Sequence, residues 1–249
     1  MSDSASITCS GCRHGEALPF GITIALQPIV HPASRSVWAQ EALVRGPQGE
    51  PASWVFAQVT AANRYQFDQA CRVAAIRQAA VCGVESLLSI NFMPNAVYQP
   101  ELCIRTTLAA AQQYNFPLQR IMFEVTEGEE VEDLSHLQSI MTSYQGMGFI
   151  TAIDDFGAGY SGLNMLAELE ADVIKLDMAL IRNIHQHGRR QTIIRGIVQV
   201  CTELDIRIIA EGIESADELH ILQDMGIEYF QGYLFARPAW QAQADIRWP

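Results

Sequence analysis

Beyond about residue 20 the chain alternates short apolar runs with longer stretches whose apolar residues recur at helical spacing. The short runs cover residues 22–30, 37–44, 87–92, 121–125, 149–154, 173–176, 207–210 and 229–235. Their length and their β-branched and aromatic content predict strands. Most are continuously apolar rather than alternating, as expected where both faces of a sheet are covered. Between them, helices are predicted over 53–81, 100–114, 131–146, 161–169, 191–204 and 216–225. In the first, Val55, Val59, Ala62, Ala70, Val73 and Ile76 fall at helical spacing, and Gly146 and Gly148 close the third. Strand followed by helix, repeated seven or eight times, predicts a parallel sheet. That number of units in a chain of this length fits a closed (β/α)₈ barrel of the TIM-like α/β class better than an open sheet. No repeat or linker marks a boundary, so a single domain over 21–249, preceded by a flexible N-terminal segment 1–20, is expected.

Charge sharpens this picture. With 16 Lys and Arg against 28 Asp and Glu, the net charge is −12. Such a chain repels phosphate backbones, which argues against a nucleic-acid polymer as partner. A phosphate-bearing ligand would need cations between itself and the carboxylates. No apolar run is long enough to cross a bilayer, and the start MSDSASITCSG lacks the basic and apolar regions of a secretory signal. A cytoplasmic protein without membrane insertion is therefore expected. The six cysteines mostly lie in apolar or helical surroundings and read as packed thiols rather than a disulfide framework. Cys9, Cys12 and His14 begin like a zinc site but lack a fourth ligand nearby, and read as part of the flexible segment.

Polar residues recur at the downstream ends of the predicted strands. Asn91 ends one run, Glu124 and Glu127 another, Asp154 and Asp155 a third. Lys175 and Asp177, Glu211 and Gln231 mark the next three, and Glu41 lies within the second run. In a barrel these ends converge on one mouth, where active sites are built. A single carboxylate after a strand is ordinarily a helix cap or a solvated loop residue. Five together, at Glu41, Glu124, Asp154, Asp155 and Glu211, repel one another unless a cation binds them. Oxygen donors of this kind, with one asparagine carbonyl, suit a hard ion such as Mg²⁺ or Mn²⁺. Two adjacent aspartates could serve two ions, a known device for attack on phosphodiesters.

In order and spacing these motifs resemble the EAL-domain family of cyclic di-GMP-specific phosphodiesterases. The resemblance rests on LQPIV (26–30), EALVRG (41–46), SINF (89–92), FEVTE (123–127) and DDFGAGYSGL (154–163). KLD (175–177), EGIE (211–214) and QGYLFARP (231–238) complete it. It implies hydrolysis of cyclic di-GMP to linear 5′-pGpG by a two-metal mechanism. One ion would be held by Glu41, Asn91, Glu124 and Asp154. The other would be held by Asp154, Asp155 and Glu211, with Asp154 shared. By the same resemblance Lys175 orients or deprotonates the attacking water, with Glu41, Glu211 and Gln231 also catalytic. Gln27, Arg45, Asp177 and Gln231 resemble substrate contacts, and Glu214 resembles a glutamate anchoring the loop 155–161. A homodimer is implied as well. Ala158 and Gly162 stand where the family commonly has Thr and Ser, small changes expected to adjust loop mobility. Two other readings stay open: a catalytically silent cyclic di-GMP receptor, and a regulatory interaction module. A lyase or enolase-type barrel enzyme would also use carboxylates and a lysine, but gives no reason for EALVRG and QGYLFARP to occur together.

Overall fold

Eight strands close on themselves in the computed structural model, which describes residues 18–126, 134–159 and 162–249. Strand β1 (Thr23–His31) turns through residues 32–35 into β2 (Ser36–Arg45), and the two pair antiparallel from Thr23↔Arg45 to His31↔Ser36. A four-residue connection cannot carry the crossover that parallel strands need. The strand–helix rule that predicts a wholly parallel sheet therefore fails at the first strand. From β2 onward, β3 (Leu87–Asn91), β4 (Ile121–Thr126), β5 (Ile150–Phe156), β6 (Val173–Leu176), β7 (Arg207–Ala210) and β8 (Tyr229–Phe230) pair in parallel succession. Phe230 then meets Val30 of β1 and closes the barrel. A ninth strand, β9 (Ala239–Trp240), not foreseen in the sequence, adds to β1 at Ala25 and Leu26.

The helices form the outer layer. They are α1 (Ala52–Phe56), α2 (Arg64–Val81), α3 (Pro100–Cys103), α4 (Arg105–Gln113), α5 (Leu134–Gly146), α6 (Gly162–Glu168), α7 (Met178–Ile181), α8 (Gly188–Glu203) and α9 (Ala216–Asp224). The long helix expected over 53–81 is broken where the Asn63 side chain binds the backbone of the segment before it, accepting from Thr60 N at 2.7 Å and donating to Gln58 O at 2.9 Å. Side-chain bonds of this kind compete with the helical ladder. The last strand stops at Phe230 rather than 235, since Gly232–Ala236 folds into a turn in which Phe235 N and Ala236 N donate to Gly232 O. Among the described residues no helix is long and apolar enough to cross a membrane.

The barrel lumen is layered. Ile29, Ala39, Met122, Ala152, Val173 and Ile209 form a separate buried cluster, with Leu87 and Tyr229 packed against it. All but Leu87 stand two positions from a candidate site residue, namely Gln27, Glu41, Glu124, Asp154, Lys175, Glu211 and Gln231, and Leu87 stands four from Asn91, on the same face. Side chains two apart on a strand share a face. An apolar plug thus fills one level of the lumen and sets the polar level at the mouth, as stacked layers do in barrels of this kind. Burying this plug stabilises the ring and keeps water below the site out.

Candidate metal centre and active site

Adjacent residues on a regular strand face opposite sides of the sheet. Asp154 and Asp155 escape this through a bulge. Strand β5 pairs with β6 at Ile153↔Ile174 and next at Phe156↔Leu176, one residue more on β5 than on β6. Asp155 takes up the irregularity with φ 54, a left-handed conformation uncommon outside glycine, and donates its N–H to Asp154 Oδ1 at 2.8 Å. Both carboxylates then line the same cavity. Two residues on, Gly157 (φ 95) holds a left-handed conformation that favours glycine, against the side chain of Leu180.

The carboxylates converge on a single ammonium. Lys175 is 1% exposed, and its Nζ lies 2.6 Å from Glu211 Oε1, 3.0 Å from Glu124 Oε2, 3.1 Å from Asp154 Oδ1 and 3.6 Å from Glu41 Oε2. Around this centre, Gln231 donates to Glu41 Oε2 at 2.7 Å and Asn91 Nδ2 donates to Glu41 Oε1 at 3.2 Å. The asparagine keeps its carbonyl oxygen as a donor for a cation.

One positive charge does not balance four negative ones in a buried place, and the protonation of the cluster records the strain. Burial pushes Glu124 up to about 8, against the pull of Lys175 and with Glu41 and Asp154 adding to the rise. Burial likewise raises Glu211 well above the usual carboxylate range despite Lys175. Asp155 is pushed up to about 6, by burial first and then by Asp154 and Asp177. Burial alone would depress Lys175, but Asp154, Glu124, Glu211 and Glu41 hold it well above its ordinary value.

Glu124 Oε1 is buried without a hydrogen-bond partner. An orphaned carboxylate oxygen is costly unless something positive reaches it. Oxygens of Glu41, Glu124 and Asp154 lie within 4.8 Å of one another, and so do those of Asp154, Asp155 and Glu211. Two triads sharing Asp154, all oxygen, suit hard divalent cations. The residues present therefore fit a divalent metal.

The polar cavity above the centre, about 330 Å³, is lined by Gln27, Asp177, Gln231 and Glu214 beside the carboxylates. Met178, Gly212, Gly232 and Tyr233 complete it. Gly212, Gly232 and Tyr233 fall within the EGIE and QGYLFARP motifs, with no individual site role assigned to them, and Met178 was not singled out because its exposed side chain resembles an ordinary surface residue. Gln27 is buried and donates to Ala236 O at 3.3 Å. Asp177 caps α7 by accepting from Ala179 N at 2.7 Å. Glu214 is joined to Arg182 at 2.5 and 2.9 Å. Tyr160 and Ser161 of the loop it was expected to anchor lie outside the described residues, as do Glu127, Cys9, Cys12 and His14. Arg45 ends β2 and turns its Nη1 back to Val44 O at 2.8 Å, away from the lining of this cavity. A mostly apolar cavity of about 550 Å³ meets the polar one at Asp154 and Asp155 and runs back past Asn91, Phe56, Phe67, Cys71 and Phe92.

A barrel with two carboxylate triads and a lysine at its carboxyl-end mouth has the donor set of a divalent-metal site. The chain belongs to the EAL domain family, whose model matches residues 21–238. It is similar to the crystal structure of a standalone versatile EAL protein from Vibrio cholerae O395 in a c-di-GMP-bound form. That likeness has a TM-score of 0.90 and 49% identity over 93% of this chain and 98% of that one. The manganese and cyclic di-GMP complex of Klebsiella pneumoniae BlrP1 at pH 9.0 is similar at 35% identity and a TM-score of 0.84, covering 91% of this chain and 58% of that one. Among curated relatives, the blue light- and temperature-regulated antirepressor BluF of Escherichia coli K12 is 32% identical over 90% of this chain. The cyclic di-GMP phosphodiesterase PdeR of the same organism is 40% identical over 55% of it. The chain spans 56% of the first of these proteins and 21% of the second.

Proposed function

We propose that the chain hydrolyses cyclic di-GMP to linear 5′-pGpG at two divalent cations, Mg²⁺ or Mn²⁺. The observation that carries this reading is the pair of oxygen triads sharing Asp154. Glu41, Asn91, Glu124 and Asp154 would hold one ion and Asp154, Asp155 and Glu211 the other. Bound there, the ions supply charge for the phosphoryl oxygens and lower the pKa of a water.

The remaining steps belong to side chains. By family likeness Lys175 orients or deprotonates the attacking water, a role that needs its amine within hydrogen-bond reach of that water. Gln231, fixed on Glu41, points its amide into the same cavity. Gln27 and Asp177 line the space for the nucleotide, and by family likeness Arg45, at the end of β2, supplies the charge for a phosphate. Attack of water on phosphorus breaks the bond to a ribose 3′-oxygen, which leaves as a hydroxyl, and the new phosphate stays on the 5′ side. By family likeness Glu214 anchors the loop 155–161, the catalytic unit is residues 21–249, and the protein works as a homodimer.

The relative described as an antirepressor supports a second reading, a module that regulates a partner without turnover. Incubation with cyclic di-GMP and Mn²⁺, with and without a chelator, separates the two. The expected result is linear dinucleotide only when the cation is present. Nucleotide bound and recovered intact favours the second reading.

A further inference from the structure

Lys175 and Glu211, 2.6 Å apart, arise from neighbouring strands whose following loops run out over the mouth. Two ties made by side chains join those loops. One tie is the Arg182–Glu214 pair, which lies in solvent, where such pairs contribute little. The other is Glu218, in the first turn of α9 and 2% exposed. Its Oε1 accepts from Asn183 N at 2.8 Å, in the segment after α7, where Asn183 stands at φ 55. Its Oε2 accepts from Glu214 N at 3.0 Å and Ser215 N at 3.1 Å, in the loop that begins with Glu211. Burial opposes its ionisation, and these backbone N–H groups more than offset it, so the carboxylate stays charged. On its other side the same loop is fixed by backbone bonds of Ile213 to Gln231 O and from Leu234 N.

We infer that Glu218 is a positioning residue that sets the Glu211 side of the cation centre by bracing the loops after β6 and β7. The inference rests on the two-cation reading and adds a residue outside both oxygen triads. It makes the two halves of the centre separable, because Glu41, Asn91 and Glu124 come from β2, β3 and β4, which Glu218 does not touch.

Calorimetric titration of metal-depleted protein with Mn²⁺ tests it. Wild type should take up two ions. Glu218→Ala should bind one of them at least about tenfold more weakly, the scale on which partners that orient a ligand act, and the other unchanged. Glu218→Gln, which keeps an acceptor oxygen and the size of the side chain, should fall between and guards against a variant that does not fold. Arg182→Ala should titrate like wild type. Equal Mn²⁺ affinities in wild type and Glu218→Gln or Glu218→Ala overturn the inference, as does equal weakening of both ions. Wild type taking up no Mn²⁺ overturns the two-cation reading itself.

Discussion

Two buried charge clusters lie on opposite sides of strand β3, and they are built on different arithmetic. Behind the strand, Arg72 of α2 is fully buried and meets Asp68 at 2.8 Å, one charge against one. Asp68 also accepts from Met93 N at 2.9 Å, and Arg72 donates to Tyr144 Oη at 2.9 Å and lies over the rings of Phe92 and Phe123. In the lumen, four carboxylates share the single ammonium of Lys175. A pair balanced one against one among aromatic rings holds structure. Four carboxylates on one ammonium leave negative charge over, a place for added cations. The imbalance, more than the burial, separates function from support.

The largest effect should come from removing the one cation of the unbalanced cluster. Lys175→Met should lower turnover of cyclic di-GMP by at least about 10²-fold, the range of a positioned proton donor. Its metal-free form should melt lower than wild type, and Mn²⁺ should restore most of the difference. A variant with near-normal turnover would remove Lys175 from the chemistry. The balanced pair should break differently. Asp68→Ala leaves Arg72 buried without its partner, at a cost of about 3 kcal/mol or more, lowering Tm by roughly 10 °C whether or not metal is present. If Mn²⁺ rescued it, the two clusters would not be distinct.

A further test is the pH dependence of stability. Carboxyls whose pKa is raised in the fold stabilise it most below their ordinary values and lose that contribution as pH climbs through the raised ones. For Asp155 the window runs from 3.8 to about 6 and for Glu124 from 4.5 to about 8. Metal-free protein should therefore lose Tm steadily from about pH 5 to pH 8, and saturating Mn²⁺, which binds the ionised forms, should flatten or reverse the slope. A metal-free Tm that rises over this interval would contradict the balance of charge described for the lumen.

Much of this was legible in the chain. The apolar runs gave the strands, and polar residues at their ends gave the mouth, because the barrel turns sequence order into a ring. The antiparallel β1 was obscured by a strand–helix rule applied throughout, although only six residues separate the runs 22–30 and 37–44, too few for a crossover. The bulge that turns Asp155 inward was hidden, since only pairing with β6 reveals the extra residue. Asp68 and Arg72 look like an ordinary pair four apart on a helix, and nothing local says that the face they share is buried. Glu218 reads as half of a capping box with Ser215, which it is, and its reach to Asn183 depends on tertiary structure.

Anomalous diffraction from crystals soaked in Mn²⁺ bears most directly on the cation centre. Two peaks should appear in the lumen, one among Glu41, Asn91, Glu124 and Asp154 and one among Asp154, Asp155 and Glu211, with Lys175 moved off the carboxylates it now holds. A lumen without manganese, its carboxylates still gathered on Lys175, would contradict the account.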